Sequence, residues 1–220
     1  MKVNIQVIYF ALMAILVSCK ISDVKEKQAA RILPFYTTAE FTPQWIDKSA
    51  REYSNIHTIP DFTFINQQGD TITEKTFLGK IYVANFFFTT CPGICKKLTT
   101  NLGLVQNAFE KDTTLLLLSH SVTPEKDNSQ RLKEYANEHG VLSNKWHLVT
   151  GNREKIYFIA RNAYFADEDM GEKKTKDDFL HTENVLLIDK HRRIRGVYKG
   201  TSVQEMNNLI SDITLLKREE

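Results

Sequence analysis

From Asp61 onward, short apolar runs alternate with segments whose apolar residues recur every third or fourth position, the pattern of strands alternating with helices. Phe62 and Phe64 on one side and Thr71 to Thr73 on the other flank Gln67-Gln68-Gly69-Asp70, which predicts a β-hairpin. Ile81 to Phe88 is long, apolar and aromatic, and suits a central strand buried on both faces. Lys96 to Phe109 reads as a helix, with Leu98, Leu102, Val105 and Phe109 along one face. Leu115 to Ser121 is a second buried strand, and Asn128 to His139 a helix that Gly140 ends. A short strand over Trp146 to Val149 and a helix over Glu154 to Tyr164 follow. Ala166 to Asp178 is a charged insertion, a surface loop or small hairpin. Strands over Glu183 to Ile188 and Ile194 to Tyr198 flank the turn Asp189-Lys190-His191-Arg192, and Ser202 to Lys217 is the last helix.

This order implies an α/β fold with a central mixed sheet and helices on both faces. It is the thioredoxin-like order with an N-terminal β-hairpin. The chain upstream differs. Met1-Lys2 is a short positive start, Ile5 to Val17 is apolar apart from Gln6, and the run ends in Leu16-Val17-Ser18-Cys19. A membrane span takes roughly 20 apolar residues, so this shorter run reads as a signal peptide. Its ending resembles a bacterial lipobox, which implies cleavage before Cys19 and lipid attached to that residue. The expected organisation is a lipoprotein-type signal peptide over 1–18, a lipidated Cys19 with linker and irregular lead-in over 19–57, and a thioredoxin-like domain over 58–217. The domain is then tethered on the periplasmic side of the cell envelope. Lys20 carries no retention signal that would choose between membranes.

Composition narrows the partners. A net charge of +2 and a 25% charged content describe an ordinary soluble domain, and no Lys/Arg stripe interleaved with aromatics makes a case for nucleic acid. Of three cysteines, setting Cys19 aside leaves only Cys91 and Cys95, which excludes a disulfide-rich scaffold.

That pair follows the strand Ile81 to Phe88, and the C-terminal ends of strands are where α/β sheets form sites. Pro92 suits the first turn of the next helix. Free N–H groups and the helix dipole there favour a thiolate, so the Cys91 pKa should fall. Cys95 lies one turn along, facing the same way, and Gly93 supplies slack. Such a pair could be a stabilising crosslink, a redox dithiol or part of a metal clasp. A crosslink over so short a loop restricts the unfolded chain little. A dithiol needs no third ligand. A metal site does, and thiolates with an imidazole select copper(I) or, with one more ligand, copper(II).

Six histidines are on offer. His139 ends a helix and His191 sits in a turn, so both read as solvated. His57 lies in the lead-in, His147 reads as structural beside Trp146, and His120 ends a strand as a weak candidate. His181 is different. It precedes the strand Val185 to Ile188, in the loop that faces the cysteine pair in a thioredoxin-like fold and normally carries a cis-proline. No proline follows Pro124. A histidine in that slot points to a ligand. A peroxidase of the peroxiredoxin type fits poorly, because Ala84 and Phe88 stand where that motif needs Pro and Thr.

Phe88-Thr89-Thr90-Cys91-Pro92-Gly93-Ile94-Cys95 resembles the T-x-C-P-x-x-C motif of the Sco (SenC) copper proteins of cytochrome oxidase assembly. Ser121-Val122-Thr123-Pro124-Glu125-Lys126-Asp127 is similar to their S-V-D-P-E-x-D segment, and His181 with Leu187-Ile188-Asp189 to their H-S/T…L-I-D segment. The resemblance covers about residues 58–217. It implies one copper ion, Cu(I) or Cu(II), bound by Cys91, Cys95 and His181 in a monomeric metallochaperone. The implied partner is the copper-site subunit of a respiratory oxidase, with the lipid at Cys19 as the membrane anchor. It also permits a thiol–disulfide reductase that keeps a partner's metal-binding cysteines reduced, with Cys91 and Cys95 as the redox-active pair. Two positions depart from the family pattern: Thr123 replaces an aspartate, and Leu180 precedes the histidine where an aspartate is common. Both remove negative charge near the site, and Asp178 reads as a solvated loop carboxylate.

Overall fold

Every residue of Ile81–Phe87 (β3) and Leu115–Ser121 (β4) is buried, the apolar runs together with the polar Asn85, Ser119, His120 and Ser121. The two strands pair in parallel along their whole length, from Ile81 opposite Leu115 to Phe87 opposite Ser121. The computed structural model describes residues 32–166 and 182–219, and residues 33–220 form one compact unit. The apolar run read as a signal peptide, Cys19, the chain over 20–31 and nearly all of the charged insertion lie outside the described residues, with Asp178, Leu180 and His181.

The remaining strands are Thr63–Asn66 (β1), Thr71–Thr73 (β2), Trp146–Thr150 (β5), Asn184–Ile188 (β6) and Ile194–Lys199 (β7). They build one seven-stranded sheet in the order β2-β1-β5-β4-β3-β6-β7. β3, β4 and β5 are parallel, whereas β1 runs antiparallel to β5 and β6 antiparallel to β3. The sheet is therefore mixed. The N-terminal hairpin joins β1 to β2, with Ile65 opposite Thr71, and Gly69 takes the positive φ of 87° that its turn needs.

Alternation along each strand sends side chains to two cores. Val83 and Phe87 of β3 and Leu117 of β4 face Leu98, Leu102 and Val105 of Ile94–Ala108 (α1), Leu132 and Tyr135 of Ser129–Glu138 (α2), and Leu209 and Ile213 of Val203–Glu219 (α4). Tyr82, Ala84 and Phe86 of β3 face the opposite core, against Ile156 and Ile159 of Arg153–Asn162 (α3). Helices thus cover both faces, the thioredoxin-like arrangement. The helix starts carry side-chain caps where the sequence offers them: Asn128 accepts from the Arg131 N–H at 2.9 Å, and Asn152 from the Lys155 N–H at 3.0 Å.

The irregular lead-in is tied to the sheet edge. Tyr36 bridges to Ile194 of β7, and Leu33 donates its N–H to Glu219 at 2.6 Å while its carbonyl accepts from Arg195 at 2.6 Å. These contacts cover a strand edge that would otherwise invite pairing with another chain.

His120, the strand-end histidine, points into the core behind the sheet. Its ring stacks on Phe86 at 4.9 Å and meets Phe64 edge-on at 5.5 Å. Among the described residues neither ring nitrogen has a hydrogen-bond partner. Burial pushes its pKa down to about 3, and the neighbouring Asn85 backbone offsets this only slightly. An unfolded histidine takes up its proton near pH 6.5. Between these values the unfolded state binds the extra proton, so this group's stability contribution is intact above about pH 6.5 and is lost as pH falls toward 3. Denaturant unfolding at pH 7.5 and 4.5 should show His120→Phe losing less stability than the parent on acidification, by about 2–3 kcal/mol. Equal losses in both would show that His120 is not held neutral.

Candidate metal centre

The strand β3 ends at Phe87, and the chain then makes a tight turn in which the Cys91 N–H donates to the Phe88 carbonyl at 3.3 Å. The helix α1 starts at Ile94, two residues earlier than its apolar period suggests, with Gly93 as N-cap. Pro92, expected in the first helical turn, lies just before it. It belongs to the turn, because the Gly93 backbone (φ −127°, ψ −106°) is not yet helical. Cys91 is half-buried before the helix and Cys95 is buried in its first turn.

The two thiols are brought together and both are free. The Cys95 N–H points at Cys91 Sγ at 3.5 Å. Burial opposes ionisation of Cys91, but hydrogen bonds from the Cys95 thiol and from the N–H groups of Cys95, Gly93 and Ile94 outweigh it, so its pKa lies below the ordinary thiol value. Cys95 goes the other way. Burial, its hydrogen bond to Cys91 and repulsion from the Cys91 thiolate push it up to about 12. The Cys91 pKa is therefore lowered, in the direction expected at a helix start, and that of Cys95 is raised, so the two thiols are not equivalent.

Because β3 and β4 are parallel, the loop after β4 meets the cysteine loop at the same sheet edge. The Val122 N–H donates to the Phe87 carbonyl at 2.9 Å. Asp127 is fully buried and accepts from Thr89 N–H at 3.1 Å, Thr89 Oγ1 at 2.6 Å, Ser121 Oγ at 2.6 Å and Thr123 Oγ1 at 3.0 Å. Thr123, where the family pattern has aspartate, thus supplies a donor to Asp127 in place of a second carboxylate. Thr89 and Asp127 stand within the sequence motifs, which give them no role by themselves. Tyr135 lies outside every motif: its ring lies 5.3 Å from Phe87 and its hydroxyl 2.8 Å from Thr99 Oγ1. Burial and the charges of Cys95, Cys91 and Asp127 push its pKa up to about 12. Only its place on the apolar face of α2, between Leu132 and Ala136, hints at this position in the sequence.

The histidines separate by environment. His57 holds the Ala163 carbonyl at 2.8 Å, and His147 is tucked against Phe77 and Asn66. His139 is not simply solvated, because its ring packs 4.2 Å from Tyr135. His191 is exposed. Among the described residues no three His, Cys, Asp or Glu side chains are grouped to hold a metal. His181 lies outside the described residues, but Thr182, its neighbour in the chain, is buried and lines a small recess with Phe88, Ile94, Cys95 and Val122.

The split between the thiols has a direct readout. Alkylation of the reduced, metal-free chain near pH 7 should modify Cys91 much faster than Cys95, and the thiolate absorbance of Cys91 should titrate below the ordinary thiol range. Cys95→Ala removes a donor and should raise that midpoint. An unchanged midpoint would mean the Cys95 thiol does not stabilise the Cys91 thiolate.

The SCO1/SenC family model matches residues 50–216. The SCO1 protein homolog of Bacillus subtilis is 24% identical over 159 residues, which is 71% of this chain and 81% of that one. The match spans a smaller share of longer relatives, 42% of the human mitochondrial SCO1 homolog and 37% of an Arabidopsis thaliana one. Among solved structures, a SCO1/SenC family lipoprotein from Bacillus anthracis superposes with a TM-score of 0.65 at 28% identity, covering 73% of this chain and 95% of that one. Copper-bound ScoI of Arabidopsis thaliana shares the fold, with a TM-score of 0.57 at 24% identity and coverage of 73% and 98%. Fold, motif order and a match over most of the chain agree: this protein belongs to the SCO1/SenC family.

Proposed function

We propose that the chain binds one copper ion through Cys91, Cys95 and His181 and acts in the assembly of a respiratory cytochrome oxidase. The observation that carries this reading is the free thiol pair at the sheet edge, with the residue next to His181 lining the recess beside Cys95. Two sulfurs and an imidazole form a soft donor set suited to copper. A solved relative holds copper, and the family membership supports the same cargo here. Cys91 is the more readily ionised thiol, and Cys95 would release its proton on binding, so copper uptake frees protons. Copper would be carried to the copper-site subunit of the oxidase by a monomeric domain over 58–217. Cys19 would carry the lipid that tethers it, on the periplasmic side of the envelope, once residues 1–18 are removed.

A second reading has its own observation. A lowered pKa at Cys91 beside a protonated Cys95 is also the arrangement of a dithiol reductase, with an attacking thiolate and a resolving thiol. In that role the pair would keep a partner's metal-binding cysteines reduced, and His181 would not be needed.

Titration of the reduced chain with copper against a competing chelator separates the two. His181→Ala should weaken binding by more than the roughly 10–100-fold that loss of an outer partner costs, and Cys91→Ser should abolish it. Unchanged affinity and spectrum in His181→Ala, with disulfide reductase activity intact, would support the reductase instead.

A further inference from the structure

Asp127 is a fully buried carboxylate, and a buried carboxylate must be hydrogen-bonded. The end of β4 supplies Ser121 Oγ and its own loop Thr123 Oγ1, and its N–H is held by the Thr123 carbonyl at 2.9 Å. An acid that only closed its own turn would need no more. Yet both of its oxygens also accept from Thr89, one from the hydroxyl and one from the N–H. Thr89 stands two residues before Cys91 in the loop after β3. Its hydroxyl is used twice, donating to Asp127 and accepting from Arg131 Nε at 3.2 Å, so its rotor is fixed. Together these bonds anchor the start of the cysteine loop to α2 and to the loop after β4.

We propose that Asp127 is a positioning residue: through Thr89 it holds the loop that carries Cys91 and so sets how readily Cys91 and Cys95 close into a disulfide. Closure forms one S–S bond, removes two electrons and releases two protons from the two thiols. With glutathione disulfide as oxidant, its S–S bond breaks and it leaves as two glutathione thiols. In the anchored loop the Cys91 sulfur receives the Cys95 N–H at 3.5 Å, which favours the reduced pair. Releasing the loop loses that bond and frees the chain to bring the sulfurs together, so the disulfide gains. The charge of Asp127 acts with the opposite sign. A carboxylate near a thiolate disfavours the reduced form, so removing the charge alone would favour the dithiol.

The inference rests on Cys91 and Cys95 being the functional pair, and its test uses no copper. The full chain, metal-free and in detergent, is equilibrated with glutathione redox buffers. Differential alkylation and mass spectrometry then read the peptide that carries both cysteines. Asp127→Asn should move the equilibrium toward the disulfide by about tenfold, about 30 mV for a two-electron couple. Thr89→Val keeps the charge and the Thr89 N–H bond, so it should shift the equilibrium the same way by less, and Thr89→Ser should restore the parent value. If Asp127→Asn does not fold, Thr89→Val decides. A shift toward the dithiol in Asp127→Asn, or an unchanged equilibrium in Thr89→Val, overturns the proposal. Failure of copper binding would leave this result standing, so the two readings fail separately.

Discussion

The parallel pairing of β3 with β4 is the constraint on which the site depends. Both strands are buried on both faces, so neither can slip by a residue without turning an apolar set the wrong way. Parallel strands end at the same edge of a sheet. The loop after β3 and the loop after β4 therefore adjoin, and the first carries the cysteines while the second carries Asp127. The Val122 N–H on the Phe87 carbonyl and the Asp127 carboxylate on Thr89 are local consequences of that register.

Chemistry at this edge follows from an asymmetry between two identical side chains. Cys91 precedes the helix and collects N–H groups, while Cys95 is inside the first turn and packed against the core. One sulfur ionises more readily, and the other is its hydrogen-bond donor. A metal that needs two thiolates must drive a proton from Cys95 as well, whereas a disulfide partner needs only Cys91, the more readily ionised of the two, as the attacking group. The same geometry therefore supports copper handling and thiol exchange, and a third ligand is what separates them.

Much of this was legible in the residues. Runs such as Ile81 to Phe88, broken only by Asn85, identify buried strands because no polar face alternates with the apolar one, and the order of elements then leaves few topologies. The pair Cys91 and Cys95 announced itself by type and position. Helix starts were less legible: Pro92 is tolerated in a first helical turn, and only the backbone at Gly93 shows that the helix begins after it. Thr89, Asp127 and Tyr135 were not legible as site residues, since their roles arise from contacts 36 or 38 residues apart in the chain. Nor could the sequence tell that Thr123 would turn a lost carboxylate into a hydrogen-bond donor.

X-ray absorption at the copper edge of the loaded full-length chain tests the proposed site most directly. Two sulfur scatterers and one imidazole, from Cys91, Cys95 and His181, are the predicted shell. A shell with no imidazole, or one built from oxygen and nitrogen without sulfur, would contradict it.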